Sequence, residues 1–290
     1  MVFLVRWLYR RFRPKDGEPP STPGRAGPDT KPKSYLALVG HQARYDMLSF
    51  FRNGQARFFT LFLPVIFLVI FVSLFGNGTV GPDHAKESTY FVPGIAAMAV
   101  ISASFVNLVI SVTAQREAGV LKRRRATPVP AAVLIAGRAF TAVSVSLMVI
   151  AAVLAIGGFA YHVQVPLRAL PALALSAIVG SATFCVLGYA VSTLIGSSDA
   201  AQPIVQATVL PLYFISGVFV PGAELPAWLQ HLAEVFPVQH LAAALHQGFG
   251  PAGQASSVAW ADLGALVLWA LAGFAVAVRR FRWAPAAASV

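Results

Sequence analysis

The run FFTLFLPVIFLVIFVSLF, Phe58–Phe75, decides the fold. It holds no charged residue and is close to the roughly 20 residues that cross the hydrocarbon core of a bilayer. Five more blocks of the same kind follow: Tyr90–Val112, Ala132–Ala155 (with room to run on to Tyr161), Leu173–Ile195, Pro203–Val220 and Trp260–Val278. Across the 290 residues, 57% are hydrophobic and only 11% are charged. Soluble domains are nearer half apolar and a quarter charged. The pattern predicts an all-α integral membrane protein of about six transmembrane helices. Pro64, Pro93 and Pro211 fall inside the runs, which membrane helices tolerate because neighbours re-satisfy the freed backbone groups.

The Lys and Arg residues give the orientation. Eleven precede the first run, five lie between the second and third (Arg116, Lys122, Arg123, Arg124, Arg125), and three follow the sixth (Arg279, Arg280, Arg282). The alternate loops hold only Lys86 and Arg168. By the positive-inside rule both termini are expected on the cytoplasmic side, in a multi-pass protein of the plasma or inner membrane. The net charge of +11 is then a topology signal with an attraction to anionic lipid, and no nucleic-acid partner is expected.

Outward from the first run, residues 34–53 read as an amphipathic helix lying in the headgroup plane, with Tyr35, Leu38, Val39, Leu48 and Phe51 on its apolar side. Residues 1–33 read as a basic, disordered cytoplasmic extension. Their first thirteen residues place the charge after a short apolar part, unlike a signal peptide. The spanning domain is expected over 54–283 and a short tail over 284–290. Between the fifth and sixth runs, PGAELPAWLQHLAEVFP (Pro221–Pro237) predicts a short external amphipathic helix, and Gln239–Gly248 a second.

The loop QREAGVLKRRRATPVP, Gln115–Pro130, sets an acidic residue before a dense basic run and two prolines. On charge alone it reads first as a topology-setting loop. Within the runs, Ser102, Ser104 and Asn107 on the second and Gln206 and Tyr213 on the fifth could line a translocation path. Helix–helix hydrogen bonding accounts for them as well. The small stripe Ala172, Ser176 and Gly180 reads as packing. Arg138 lies close enough to the cytoplasmic end of the third run to snorkel, and Asp262 favours the N-terminus of the sixth helix. Cys185 reads as a buried packing residue.

The loop resembles the second cytoplasmic loop of type-2 ABC exporter permeases, especially the daunorubicin-resistance-like group. There an acidic residue, a glycine, a hydrophobic residue and a basic run end in an Ala-Thr-Pro turn. Here these are Glu117, Gly119, Leu121, Arg123–Arg125, then Ala126, Thr127 and Pro128. RNGQARFFTLFLP (Arg52–Pro64), YFVPGIAAMAV (Tyr90–Val100) and ISGVFVPGAELPAWLQHLAEVFPVQHLAAAL (Ile215–Leu245) resemble other parts of the same family, over roughly Ser34–Arg282. The resemblance implies a dimer with a second permease, bound to separate nucleotide-binding ATPase subunits that hold the ATP and magnesium. It makes Arg116, Glu117, Gly119, Leu121, Lys122, Arg123, Arg124, Arg125, Thr127 and Pro128 an ATPase-coupling helix. Glu117 and Arg123–Arg125 would bond to the partner, Leu121 would pack in its groove, Gly119 would permit close approach and Pro128 would fix the exit angle.

No Gly-Lys pair occurs, so this chain carries no Walker-type phosphate loop, and no H-E-x-x-H, G-x-S-x-G or Cys-x-x-Cys is present. The chain is expected to be non-catalytic, to bind no cofactor or metal, and to be the membrane subunit of an ATP-driven translocase. Its expected work is efflux of a hydrophobic drug, antibiotic or lipid-like substrate, as in antibiotic resistance. Lipid-linked polysaccharide export and ion-coupled secondary transport are the alternatives; the scarcity of ionisable residues inside the runs disfavours the latter.

Overall fold

A computed structural model describes residues 35–75, 79–80, 85–120, 131–161, 167–219, 225–249 and 258–280. The expected N-terminal extension, the C-terminal tail and the Leu121–Pro128 part of the coupling segment lie outside them.

The described chain is helical apart from one two-residue strand pair, β1 (Thr79–Val80) against β2 (Ala85–Lys86), antiparallel with Thr79 opposite Lys86. The amphipathic helix forms as α1 (Tyr35–Arg52). Asn53 ends it and starts the next helix, its side chain accepting from the Ala56 amide at 3.1 Å. The first span is α2 (Gly54–Arg57), a π-helical segment Phe58–Phe62 and α3 (Leu63–Phe75). The widened turn sits just before Pro64, which has no N–H to offer the carbonyl of Thr60. The second span is α4 (Glu87–Ile101), a second π segment Ser102–Val106 and α5 (Asn107–Glu117). α6 (Ala131–Tyr161), α7 (Leu170–Ser192) and α11 (Trp260–Arg280) are the third, fourth and last long helices.

Five of the described helices are long and apolar enough to cross a membrane: Gly54–Leu74, Tyr90–Glu117, Ile135–Tyr161, Leu170–Ser192 and Trp260–Ala277. The run expected at Pro203–Val220 differs. Its helix, α8, is Ser198–Ile215, capped by Ser197 and holding both Pro203 and Pro211. Asp199, Gln202, Gln206 and Thr208 dilute its apolar character, and it falls outside that set.

The second span is the centre of the bundle. Within the apolar stretch of each span, 83% of the second is buried against 17% of the last. The outer spans therefore carry apolar surface outward: Phe159, Leu268 and Phe274 are exposed, as are Ile66, Ile70 and Leu74. In water this surface would be untenable; against lipid it is the natural solvent contact.

Small residues set the close approaches. At Gly94 an added Cβ would lie 2.1 Å from the Val218 carbonyl oxygen, so the turn after α8 rests directly on the second span. Gly137 on α6 leaves room for Gln42 of α1, and Thr141 donates to the Ala43 carbonyl at 3.3 Å, which docks the amphipathic helix on the third span.

The two short helices expected between the fifth and sixth runs form as α9 (Ala227–Glu234) and α10 (Pro237–Phe249). α9 leaves Trp228 and Leu232 exposed, whereas α10 is wedged inward with Leu241 and Leu245 fully buried. The stripe of small residues on α7 is its seat: Leu241 packs on Gly180, and Leu173 packs on Gly248. His246 and Tyr90 both donate to the Gly217 carbonyl, at 3.1 and 2.9 Å. Burial pushes His246 down to about 4, against the opposing pull of its backbone bond, so it is neutral at pH 7. His240 faces Asp262 at 2.9 Å, joining α10 to the first turn of α11.

Gly94→Ala is expected to lower stability by about 1–3 kcal/mol or more, because backbone cannot yield as a side chain can. Gly40→Ala, where no atom lies within 4 Å of the new methyl, is expected to add about 0.5–1 kcal/mol in the middle of α1. Thermal unfolding of both variants in the same nanodiscs measures the contrast.

Candidate functional site

The described head of the basic loop is tied to the turn between α7 and α8. Arg116 is a long cationic side chain at the end of α5, yet it is only 6% exposed. Its guanidinium donates to the Ser192 carbonyl at 2.8 Å and also to the Ile195 carbonyl. These oxygens belong to the end of α7 and the turn after it, where helical partners run out and a cation is favourable. Arg116, expected as part of the coupling segment, staples two of this chain's own segments together.

Glu117 points to the same turn. Its Oε2 accepts from the Ser198 amide at 2.8 Å, at the start of α8. A carboxylate there meets the free N–H groups of a helix N-terminus. Glu117 stays exposed, so its residue remains reachable from outside while already engaged inside. Gly119 has a φ of +68° and donates to the Arg116 carbonyl at 3.1 Å. This is a left-handed helix stop. Nothing of this chain lies within 4 Å of a Cβ placed there, so within the chain it is the backbone conformation that calls for glycine. Leu121, Lys122, Arg123, Arg124, Arg125, Thr127 and Pro128 lie outside the described residues.

The candidate path residues fall largely together. A cavity of about 280 Å³ opens between the first span, the second span and α8. Ser102, Asn107, Gln206 and Tyr213 line it, with Phe67 and Leu210 among the apolar walls. Ser104 does not: it is fully buried and donates back to the Val100 carbonyl of its own helix. Two residues beyond Ser102 on a helix is the far side, and the hydroxyl finds its partner locally. Both π segments border the cavity, through Phe59 and Thr60 in the first and Ser102 and Val106 in the second. Widened turns recur at functional sites; Pro64 marks the first in the sequence, and nothing local marks the second.

Above the cavity a cluster of rings closes the space. Phe71 stacks on Phe219 at 5.2 Å, and Phe67 and Tyr213 also meet Phe219, at 5.3 and 5.8 Å. Below it a second, smaller cavity of about 80 Å³ lies between α1, α5 and α6. Its wall is mixed: Phe50, Leu108 and Val145 are apolar, and Asp46, Gln115 and Arg138 are among its polar residues. Arg138, expected to snorkel, instead donates to Ser111 at 2.8 Å. Asn53, Ala56, Asn107 and Ser111 line both cavities, so the two adjoin.

The family model described as ABC-2 type transporter matches residues 40–249. The inner membrane transport permease YadH of Escherichia coli strain K12 is 27% identical over 194 residues, covering 66% of this chain and 75% of that protein. YadH of Shigella flexneri gives the same figures. The probable multidrug ABC transporter permease YbhR of Escherichia coli strain K12 is 28% identical over 152 residues, covering 52% of this chain and 41% of its own.

Arg116→Lys is expected to loosen the turn after α7, because Arg116 reaches the two carbonyls from two separate nitrogens of a rigid fork, whereas lysine presents all its donors from one point on a flexible stem. Amide exchange across residues 193–198 should quicken by on the order of tenfold, the loss expected for one charge-assisted hydrogen bond. Hydrogen exchange read by mass spectrometry checks it, with the α10 peptides as the unchanged reference.

Proposed function

We propose a function from one premise: the chain belongs to the ABC-2 type transporter family. It is the membrane subunit of an ATP-driven exporter, carrying a hydrophobic drug, antibiotic or lipid-like molecule outward through the inner membrane. ATP and magnesium sit on a separate ATPase subunit, and a second permease completes the complex. The relative named a probable multidrug permease favours a drug-like cargo over a polysaccharide. Both termini lie in the cytoplasm.

A sixth crossing belongs to this reading. α8 has 18 residues, about 27 Å of helix against the roughly 30 Å hydrocarbon core. It begins beside Glu117 at one end of the second span, and the turn after it is held by Tyr90 at the other. A helix whose two ends adjoin the two ends of a spanning helix runs the same depth.

The observation that carries the proposal is the connection through α8. Glu117 holds its first residue, and Gln202, Gln206, Leu210 and Tyr213 of the same helix line the larger cavity. The basic run that follows Gly119 docks on the ATPase. When the ATPase dimer closes, a push on the loop passes through Glu117 and Arg116 to the start of α8, and so to the cavity wall. Arg116 keeps the end of α7 moving with it.

Co-expression with the ATPase encoded beside this gene tests the docking step. Wild type is expected to retain the ATPase through purification. Arg123→Glu with Arg124→Glu is expected to lose it while still inserting in the membrane. Glu117→Gln is expected to keep the ATPase but lose most substrate-stimulated ATP hydrolysis, because the bond to Ser198 is weakened on this side of the interface. Equal retention by the double variant would leave the basic run as a topology signal alone. Transport that stops when the proton gradient is dissipated at constant ATP would instead make the chain a secondary transporter.

A further inference from the structure

The smaller cavity between α1, α5 and α6 is not explained by packing. Its wall sets Asp46, Gln115 and Arg138 among apolar residues at the junction of an amphipathic helix with two spans. Two of its polar atoms, Asp46 Oδ2 and Gln115 Oε1, are buried with no hydrogen-bond partner. A third such atom, Gln202 Oε1, borders the adjoining larger cavity. All three are acceptors. Leaving a buried acceptor unmet is unfavourable, more so when it is charged. The missing complement is therefore a donor.

We infer that the two cavities form one amphiphile site, in which the small cavity takes a hydrogen-bond-donating amine head and the large cavity takes the apolar body. This rests on the exporter reading and narrows its substrate class. Size fits: about 10–15 Å³ per water-sized probe leaves room in about 80 Å³ for one small head group. Charge fits as well. Asp46 supplies a carboxylate for a protonated amine, and Gln115 supplies a neutral acceptor beside it. Arg138 lines the same wall, but its NH1 is turned to Ser111. An anionic head would meet Asp46 and two unmet acceptors, and is disfavoured. The body then lies against Phe67 and Leu210 below the ring cluster around Phe219.

The test uses the full chain with its ATPase in nanodiscs, and radiolabelled decylamine as the probe, with empty nanodiscs as the background. Saturable binding is expected, at least tenfold tighter than for decyltrimethylammonium, which has the charge but no donor. Decanoate should not compete. Asp46→Asn combined with Gln115→Leu should weaken decylamine binding at least tenfold. Gln115→Glu, which keeps an acceptor in place and adds charge, should tighten it and guards against a misfolded double variant. Equal binding of decylamine and decyltrimethylammonium would overturn the inference, because apolar partition alone would explain it. Binding unchanged in the double variant would also overturn it, because waters would then be the only occupants of the small cavity. ATPase retention is read on the same samples. If the ATPase is held and the amine is not bound, the substrate inference fails and the exporter reading stands; if the amine binds and no ATPase is held, the exporter reading fails instead.

Discussion

The second span can stand at the centre of the bundle only because its outer half carries so little bulk. Gly94, Ala96, Ala97 and Ala99 follow Pro93 in quick succession, and the alanines are essentially fully buried. In lipid there is no hydrophobic gain from bringing two apolar helices together, so association relies on close van der Waals packing. Gly94 takes this to its limit by letting the Val218 backbone rest on the helix. At the other end the packing is polar. Arg116 and Glu117 bond to three backbone groups of the segment that leads into α8. One helix is thus tied to α8 by shape at one end and by charge at the other. The cavity lies between these two attachments.

Two widened turns make the cavity compatible with that packing. Asn107 N–H reaches back to Ser102, and Leu63 N–H to Phe58, each skipping one residue beyond the ordinary helical partner. A π turn shifts the side chains after it around the axis. In the second span this leaves Ser102, Val106, Asn107, Ile110, Ser111 and Ala114 along one wall. Ser104 and Thr113 face the interior and bond to their own helix. In the first span the cause is Pro64. In the second no proline falls within the segment, and the local sequence gives no separate account of it.

Much of this was legible in the chain. Apolar runs fix helix positions because a bilayer demands unbroken apolar length, and Phe58–Phe75 or Trp260–Val278 can be read as little else. Where the text blurred, the physics was local. α8 carries two prolines and two glutamines, so its apolar run misplaced the start by five residues; Ser197 capping the helix decided it instead. Arg116 looked like one more surface charge in a basic loop. Nothing in the residue itself says that the open carbonyls of Ser192 and Ile195, 76 and 79 positions later, would enclose it. Gly119 was recognisable as special, but not for which reason, since close approach and left-handed backbone leave the same letter.

Many polar groups divide between the packed interior and the cavity walls, although Ser216 Oγ, Gln42 Nε2 and Arg57 Nε are unpartnered away from both cavities. Polar atoms in the tightly packed interior are satisfied locally, as with Ser104 and Thr113 on their own helix and Ser181 with Ser146 at 3.0 Å. Those bordering the two cavities include acceptors left open at Asp46, Gln115 and Gln202. A stable bundle has no need of such atoms, and each could be removed by an apolar substitution of similar size at a gain in stability. On the proposed amphiphile reading, unmet acceptors around the two adjoining cavities are what a carrier would need, because its cargo would find partners there that the protein does not use. The same economy explains why Arg116 and Glu117 are fully engaged at their joint while the acceptors lining the cavities are open: a joint has to transmit force in every state, and a binding wall has to release what it holds.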